Sequence, residues 1–193
     1  MAFPESIPAS RLTLRKYAPG DAARLQELVD SQRERLLESF AEVARGLRTA
    51  AAAEAFIADK AALWQTDTTF CYGLWLAAAD RLIGQLQVKN IAWQIPSAEL
   101  SYFIGPAHLR QGFASEAVGA VLRVAFETHR FERIYLRIIA SNHESLALAG
   151  KLGFKWEGLH RNEFRGGRGA LHDVHYFALV RPDYSLIHAI VDS

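Results

Sequence analysis

The chain has 193 residues, of which 50% are hydrophobic and 22% are charged, the composition of one globular domain with ample material for a core. Its 22 Lys and Arg against 21 Asp and Glu give a formal net charge of +1, so no global field favours nucleic acid or an anionic membrane. No stretch approaches about 18 consecutive apolar residues, and the start lacks the basic flank and apolar run of a secretion signal. These features argue against disordered, fibrous and membrane-spanning classes and predict a cytoplasmic protein.

The first half of the chain predicts a strand, two helices and three more strands. Alternating polar and apolar residues predict a strand over 11–15. Apolar spacing predicts a helix with Asp21 as its N-cap and a second helix from about Thr49 to Leu63, with a charged connection over 33–48 between them. β-branched and aromatic residues predict strands over 69–78, 82–92 and 99–104.

The second half alternates helices and strands. Gly112 opens a predicted helix, and a strand over 131–139 and a helix over 142–152 follow. Two strands, over 154–164 and 171–180, are joined by a glycine-rich loop that suits a hairpin. The predicted fold class is α/β, with one mixed sheet flanked by helices.

No repeat or linker divides the chain. We therefore expect a single domain over 1–193, with a short N-terminal extension over 1–10 and a short C-terminal tail over 184–193.

The most informative segment is a strand followed by a turn of small residues that enters a helix. Unpaired N–H groups at a helix N-terminus favour an anion, and Gly112 with Ala114 would let a phosphate approach the backbone closely. A pyrophosphate fits such a turn, although a glycine before a helix is also a common cap.

With its flanks, this segment resembles the GNAT family of acyl-coenzyme A dependent N-acyltransferases, whose signature is Arg/Gln-x-x-Gly-x-Gly/Ala. Gly112 and Ala114 match the signature, whereas Leu109 stands where the family usually has Arg or Gln. More narrowly, the chain looks like the RimJ/RimL branch. That likeness rests on the motifs Leu12-Thr13-Leu14-Arg15, Gly112-Phe113-Ala114-Ser115-Glu116-Ala117, Asn142-His143-Glu144-Ser145, Lys151-Leu152-Gly153-Phe154 and Glu157-Gly158, and on Asp173 and Tyr176.

The resemblance implies a mostly antiparallel central sheet whose strands splay apart at the cofactor site, and acetyl-CoA as the acyl-donor cosubstrate. The strand backbone at Tyr102, Phe103 and Ile104 would hold the pantetheine. The pyrophosphate would lie on Arg110, Gln111, Gly112, Phe113, Ala114 and Ser115. Asn142 would touch the pantetheine or phosphate arm, although it also suits the N-cap of the following helix.

Two side chains are candidates for the proton transfers. An amine acceptor must lose a proton, since an α-amine has a pKa of about 7.7–8, and Glu99 is the candidate base. A solvent-facing strand carboxylate is the alternative for Glu99. The broader family often carries a Tyr four residues before the Gly-Phe pair as proton donor, but here that position is Ala149, so Ser145 is the candidate donor, with a surface or capping serine as the alternative.

Metal chemistry is not expected. His172 and His175 would point to opposite faces of a strand, and no further ligand group lies near them and Asp173 in the sequence. The single cysteine, Cys71, excludes an intrachain disulfide.

These features predict an acetyl-CoA dependent N-acetyltransferase that acts on a primary amine, above all the α-amine of a peptide or protein. Two alternatives stay open: a small-molecule amine acetyltransferase and a non-catalytic acyl-CoA binding module. We expect no nucleic-acid or membrane partner, and family resemblance makes a homodimer a further expectation.

Overall fold

In the computed structural model, which describes the backbone of residues 3–191 and the side chains of residues 3–187, eight strands form one sheet. The strands are β1 Ser6–Pro8, β2 Leu12–Lys16, β3 Phe70–Leu76, β4 Arg81–Ala92, β5 Ser97–Ile104, β6 Arg133–Ile139, β7 Lys155–Arg165 and β8 Leu171–Val180. The helices are α1 Ala22–Asp30, α2 Arg33–Ser39, α3 Ala41–Gly46, α4 Ala50–Gln65, α5 Phe113–Arg123, α6 His143–Lys151 and α7 Arg181–Val191, and a π-helical turn, Val124–Thr128, extends α5. The predicted mixed α/β class is confirmed.

Four elements were not predicted. β1 falls within the expected N-terminal extension, where it pairs with β2, and Phe3 just before it is buried. The charged connection contains two short helices, α2 and α3, and α7 occupies most of the expected C-terminal tail. β1, α2 and α3 have three, seven and six residues, so each is too short to show a clear apolar period. The helix α7, with 11 residues, is a miss of the sequence analysis, which treated this segment as a tail.

Asp21 occupies the predicted N-cap position of α1, but its side chain makes no capping hydrogen bond to that helix. Instead its carboxylate accepts a hydrogen bond from the backbone N–H of Ala18 (2.8 Å) and pairs with Arg15 (2.7 Å). The Asp21 carboxylate therefore bonds to Arg15 and Ala18 and not to the first N–H groups of α1.

The strand order is β1-β2-β3-β4-β5-β6-β8-β7, and every pair is antiparallel except β5 with β6. The parallel ladder joins Ser97, Ala98 and Glu99 to residues 133–135 and ends there. Beyond Glu99 the two strands continue without pairing. The predicted splay in the sheet therefore lies between the second half of β5 and the second half of β6.

Two apolar clusters pack on the two faces of the sheet. The first gathers α5 and the inner residues of the strands, including Leu100 and Ile104 of β5; the second lies under α1 to α4 and includes Phe103. Because side chains alternate along a strand, Glu99 and Ser101 share the α1 to α4 face with Phe103. Glu99 and Ser101, the polar residues on this face of β5, lie beside the gap in the sheet.

Candidate functional site

A cavity of about 390 Å³ passes through the gap between β5 and β6. Four of the predicted site residues, Glu99, Tyr102, Asn142 and Ser145, line it together. Glu99 and Tyr102 lie on opposite faces of the sheet by alternation, and they border the same space because the unpaired strands leave it open from one face to the other. The end of α2, the start of α3 and the β7–β8 hairpin supply the outer walls.

Glu99 is buried, with 3% of its surface exposed, so the alternative of a solvent-facing carboxylate is wrong. Lys89 lies directly opposite on β4, and its Nζ is 3.3 Å from Glu99 Oε1. Asn90 donates from Nδ2 to Glu99 Oε2 at 2.7 Å. Asn90 has a positive φ of 51° at a bulge in β4, a conformation that Asn tolerates better than most residues. The bulge thus turns Asn90 toward the carboxylate that Lys89 already pairs.

Asn142 is the N-cap of α6, as one of the two sequence interpretations held. Its Oδ1 accepts a hydrogen bond from the backbone N–H of Ser145 at 3.1 Å. The backbone of Ser145 is therefore capped by another residue, and its own side chain lies at the cavity wall. The cap fixes where the first turn of α6 presents that hydroxyl.

The side chain of Tyr102 is a site feature that the sequence analysis missed, since only its backbone was considered. Its hydroxyl is almost completely buried. Burial raises the pKa of Tyr102, and a hydrogen bond with Ser145 works against that rise. The two side chains therefore lie next to each other in the cavity wall.

The backbone of β5 does not present all three predicted residues to the gap. Phe103 lies opposite Gln85, and Gly105 N donates to the carbonyl of Ile83 at 2.7 Å, so the bonds to β4 fall on alternate residues, Phe103 and Gly105. The peptide groups of Tyr102 and Ile104 point the other way. Ile104 O accepts from Arg35 Nη2 at 2.5 Å.

The turn before α5 has the geometry expected of an open helix N-terminus. Gly112 precedes the helix with φ +83°, and Arg110 also has a positive φ, 58°. Gly112 makes no side-chain cap, so the first N–H groups of α5 stay directed outward. The side chain of Arg110 is 87% exposed and lies 3.5 Å from Glu144 of α6.

Arg11 holds this turn in place, and nothing in the sequence motif pointed to it. Its Nε pairs with Glu116 Oε2 at 2.8 Å and its Nη1 donates to Gln111 O at 3.0 Å. Glu116 also accepts from the backbone N–H of Leu12 at 3.1 Å. A Cβ at Gly112 would lie 3.3 Å from Arg11 Nη2. Arg11, which lies just before β2, thus connects that strand to the turn and to the first turn of α5.

The β7–β8 hairpin is fastened to α2 across the outer side of the cavity. Gly167 N donates to Leu37 O at 2.8 Å, and His172 Nε2 lies 3.0 Å from Glu38 Oε2. Arg168 pairs with Glu34 at 2.6 Å. We call this set of contacts the clasp; it joins the β7–β8 hairpin to α2 at the outer side of the cavity.

A second, more open cavity of about 540 Å³ shares Glu99 and Arg137 with the first. Its other walls include Tyr135 and Tyr176, and Arg137 pairs with Glu163 at 2.7 Å. Glu99 therefore stands between a cavity inside the gap and one that opens on the uncovered part of the sheet.

The histidines of β8 are engaged in other contacts. His172 faces Glu38, Asp173 accepts from Asn162 N at 2.8 Å, and His175 accepts from Trp156 Nε1 at 3.0 Å. Within residues 3–187, no group of three or more His, Cys, Asp or Glu side chains is arranged to hold a metal ion. No helix in the described part of the chain has both the length and the apolar character needed to cross a membrane.

Three comparisons place this geometry among known proteins. An uncharacterized N-acetyltransferase of Bacillus subtilis (strain 168), YoaA, is 30% identical over 169 residues, 84% of this chain and 95% of its own length. Among solved structures, the ribosomal L7/L12 α-N-protein acetyltransferase RimL in complex with coenzyme A has a TM-score of 0.86 at 21% identity and covers 93% of this chain and 99% of its own. The ribosomal-protein-S5-alanine acetyltransferase of Vibrio fischeri has a TM-score of 0.81 at 18% identity, covering 93% and 98%. At these identities, likeness to the two solved structures shows the fold.

The model of the acetyltransferase (GNAT) domain matches residues 11–155, three quarters of the chain. This match includes β5, the turn before α5 and the first turns of α6. Proteins with this domain are N-acetyltransferases that use acetyl-CoA, so the match confirms the predicted activity class and the predicted acyl donor. By its sequence and its fold, the chain belongs to the GNAT family of N-acetyltransferases.

Proposed function

We propose that the protein transfers the acetyl group of acetyl-CoA to the α-amine of a peptide or protein. The observation that carries this proposal is the cavity in the sheet, which is lined by a buried carboxylate, Glu99, together with Tyr102 and Ser145. Support for a peptide acceptor comes from two structural neighbours, which are acetyltransferases of ribosomal proteins.

The residues present fit the donor, which supplies the acetyl group as a thioester. The peptide groups of Tyr102 and Ile104 face the gap, where an extended pantetheine arm can take the place of a paired strand. The N-terminal turn of α5, residues 110–115, offers outward N–H groups and a glycine in the left-handed region for the pyrophosphate. Phe103 contributes its side chain to the core, since its peptide group is turned to β4.

Glu99 acts as the base in this proposal. Its two oxygens already accept one partner each, Lys89 and Asn90, and each oxygen keeps a further lone pair for an incoming amine or a bridging water. As the amine nitrogen bonds to the acetyl carbon, the carbon–sulfur bond breaks, the electron pair leaves on sulfur, and the proton lost by nitrogen is the one that sulfur finally gains. The N–H of Ile104 is the backbone donor that we assign to the acetyl oxygen.

Most of the acceleration comes from holding amine and thioester together. Such alignment contributes up to about 7–11 kcal/mol in the best intramolecular systems, and a positioned base adds about 10²–10⁴-fold. The fixed walls supplied by the capped helix α6 and by the clasp serve this alignment.

The test is release of the free thiol from acetyl-CoA with a panel of acceptors. The panel pairs short peptides with the same peptides blocked at the N-terminus, alongside polyamines and aminoglycosides. Turnover of free but not blocked peptides supports the proposal. Turnover of small amines alone would replace it with a small-molecule acetyltransferase, and silence despite tight acetyl-CoA binding would replace it with a non-catalytic binding module.

A further inference from the structure

The side chain of Arg35 connects α2 to the last residue of β5. Its Nη2 donates to Ile104 O at 2.5 Å and to Gln32 Oε1 at 2.8 Å. Gln32 is buried and its own Nε2 donates to Leu28 O at 3.3 Å, so this partner of the guanidinium is itself fixed. The Ile104 carbonyl faces the gap and not β4. The guanidinium of Arg35 therefore lies at the end of the gap where β5 leaves the sheet for the turn before α5.

Arg35 carries a charge that no carboxylate among the described residues pairs with. An arginine has five N–H donors, and the two on Nη2 go to Gln32 and Ile104, whose oxygens are both neutral acceptors. The donors on Nε and Nη1 meet no acceptor in the described part of the chain. Arg137, on the cavity wall, differs because it pairs with Glu163 at 2.7 Å. Arg35 thus keeps its charge and three of its five donors for a ligand.

Glu144, on the first turn of α6, locates Arg35 relative to the turn before α5. Burial lowers the pKa of Arg35, and the charge of Glu144 works against that change. The same carboxylate lies 3.5 Å from Nε of Arg110, within the turn. Leu109, at the first position of the signature, packs against the first apolar cluster and brings no charge. Arg35 therefore adds a cation from α2 to the end of the gap where the pyrophosphate is proposed to bind.

We propose that Arg35 binds the pyrophosphate of the acyl donor with its Nε and Nη1 groups while Nη2 stays on Ile104 O. A planar guanidinium suits this role because it donates two parallel hydrogen bonds to a phosphate. The Ile104 carbonyl keeps a second lone pair for an amide N–H of the pantetheine. Arg35 thereby supplies, from a distant part of the chain, the side-chain contact that Leu109 cannot make. This inference rests on the proposed donor site and not on which amine is acetylated.

The experiment measures the affinity for coenzyme A by calorimetry in the wild type, Arg35→Gln and Arg35→Lys, at about 0.05 M and about 0.5 M salt. Arg35→Gln should weaken binding by about tenfold or more at low salt, the worth of hydrogen bonds between charged groups. The loss should shrink at high salt, which screens charge pairs near the surface. Arg35→Lys should recover a large part of the loss because it keeps the charge. Dephospho-coenzyme A, which lacks the 3′-phosphate and keeps the pyrophosphate, should show the same loss in Arg35→Gln.

The control is Arg48→Gln. Arg48 is an exposed arginine outside both cavities, so this variant removes the same charge without touching the site. It should keep the wild-type affinity for coenzyme A at both salt concentrations. A loss in Arg48→Gln as large as that in Arg35→Gln would show that net charge, and not a contact from Arg35, governs binding.

An unchanged affinity in Arg35→Gln would overturn the inference, and so would a loss that is equal at both salt concentrations, since the side chain would then act only by holding Ile104. A loss seen with coenzyme A and absent with dephospho-coenzyme A would contradict the assignment to the pyrophosphate. If coenzyme A does not bind the wild-type protein, the donor site itself is wrong and the inference falls with it. Absence of peptide acetylation, by contrast, would overturn the proposed acceptor and leave this result standing.

Discussion

Lys89 and Glu99 lie directly opposite each other on β4 and β5, and their side chains pair at 3.3 Å within the wall of the cavity. The pair places a cation beside a carboxyl group with 3% of its surface exposed. A buried charge costs several kcal/mol unless it is paired and hydrogen-bonded, and Asn90 completes the hydrogen bonding. The carboxylate is thus fixed beside the gap before any substrate arrives.

Replacing Glu99 by Gln should lower turnover by about 10²–10⁴-fold near neutral pH. The loss should shrink as pH rises, because the acceptor amine then loses its proton to solvent. Steady-state rates between pH 6 and pH 10 measure this, with coenzyme A affinity as a check on the fold. Glu54→Gln, an exposed change on α4, is the matched control and should keep the wild-type profile. A Glu99→Gln profile parallel to that of the wild type would remove Glu99 as the base.

Gly112→Ala should weaken coenzyme A binding and destabilise the protein. A Cβ at φ +83° costs roughly 1–2 kcal/mol, and relaxing that strain would move the turn whose N–H groups are proposed to meet the pyrophosphate. Gly119→Ala, within α5 where an added Cβ meets nothing within 4 Å, should stabilise by about 0.5–1 kcal/mol and leave affinity unchanged. Calorimetry measures the coenzyme A affinity of both variants, and urea unfolding measures their stability. If Gly112→Ala binds coenzyme A as tightly as Gly119→Ala does, this turn does not hold the pyrophosphate.

Gly167→Ala should open the clasp. The added Cβ would lie 2.4 Å from Leu37 O, so the hairpin must move away from α2. We expect the acceptor KM to rise several-fold while coenzyme A affinity stays at the wild-type value, since the clasp joins two elements that end at the outer walls of the cavity and includes none of the residues proposed to hold coenzyme A. Gly158→Ala in β7, where an added Cβ meets nothing within 4 Å, is the control. An unchanged acceptor KM in Gly167→Ala would show that the clasp does not shape the acceptor site.

The Arg15–Asp21 ion pair should make the free energy of unfolding fall as the pH becomes acidic. Burial works to raise the pKa of Asp21, but hydrogen bonds from Arg15 and from the N–H of Ala18 outweigh it and lower the pKa. A carboxyl group whose pKa is lower in the folded state stabilises that state above its unfolded pKa of about 3.9 and loses the contribution as pH falls through the folded value. Asp21→Asn should therefore be less stable than the wild type at pH 7, with a difference that narrows below about pH 4. Urea unfolding from pH 7 to pH 3 measures this, and a constant difference would contradict the pairing.

The sequence predicted the long elements well because their apolar periods are strong. The helices beginning at Ala22, Ala50 and Phe113 and the hairpin of β7 and β8 all lie where the pattern indicated. The short helix α2 carries a charge at four of its seven positions and is held by the clasp, a set of contacts between residues more than 100 positions apart in the chain. No local pattern can reveal such a contact.

Part of the candidate site could be predicted from the sequence, and the residues that long-range contacts bring to it could not. The motif around Gly112 indicates the turn, and the resemblance to the RimJ/RimL branch points to Glu99. Lys89, Asn90 and Arg11 join the site only through strand register and tertiary contacts, so the sequence pattern did not single them out. Tyr102 carried a usable signal: its alternation with Glu99 places its side chain on the other face of the same strand, toward the gap.

The most direct test of the account is a crystal structure of the protein with acetyl-CoA bound. The account predicts the pyrophosphate on residues 110–115 and the pantetheine between β5 and β6. It places the thioester in the cavity with its sulfur within hydrogen-bonding distance of Ser145, on the side from which Glu99 can reach an incoming amine. Acetyl-CoA bound outside the gap, or bound in it with the thioester directed away from the cavity, would contradict the account.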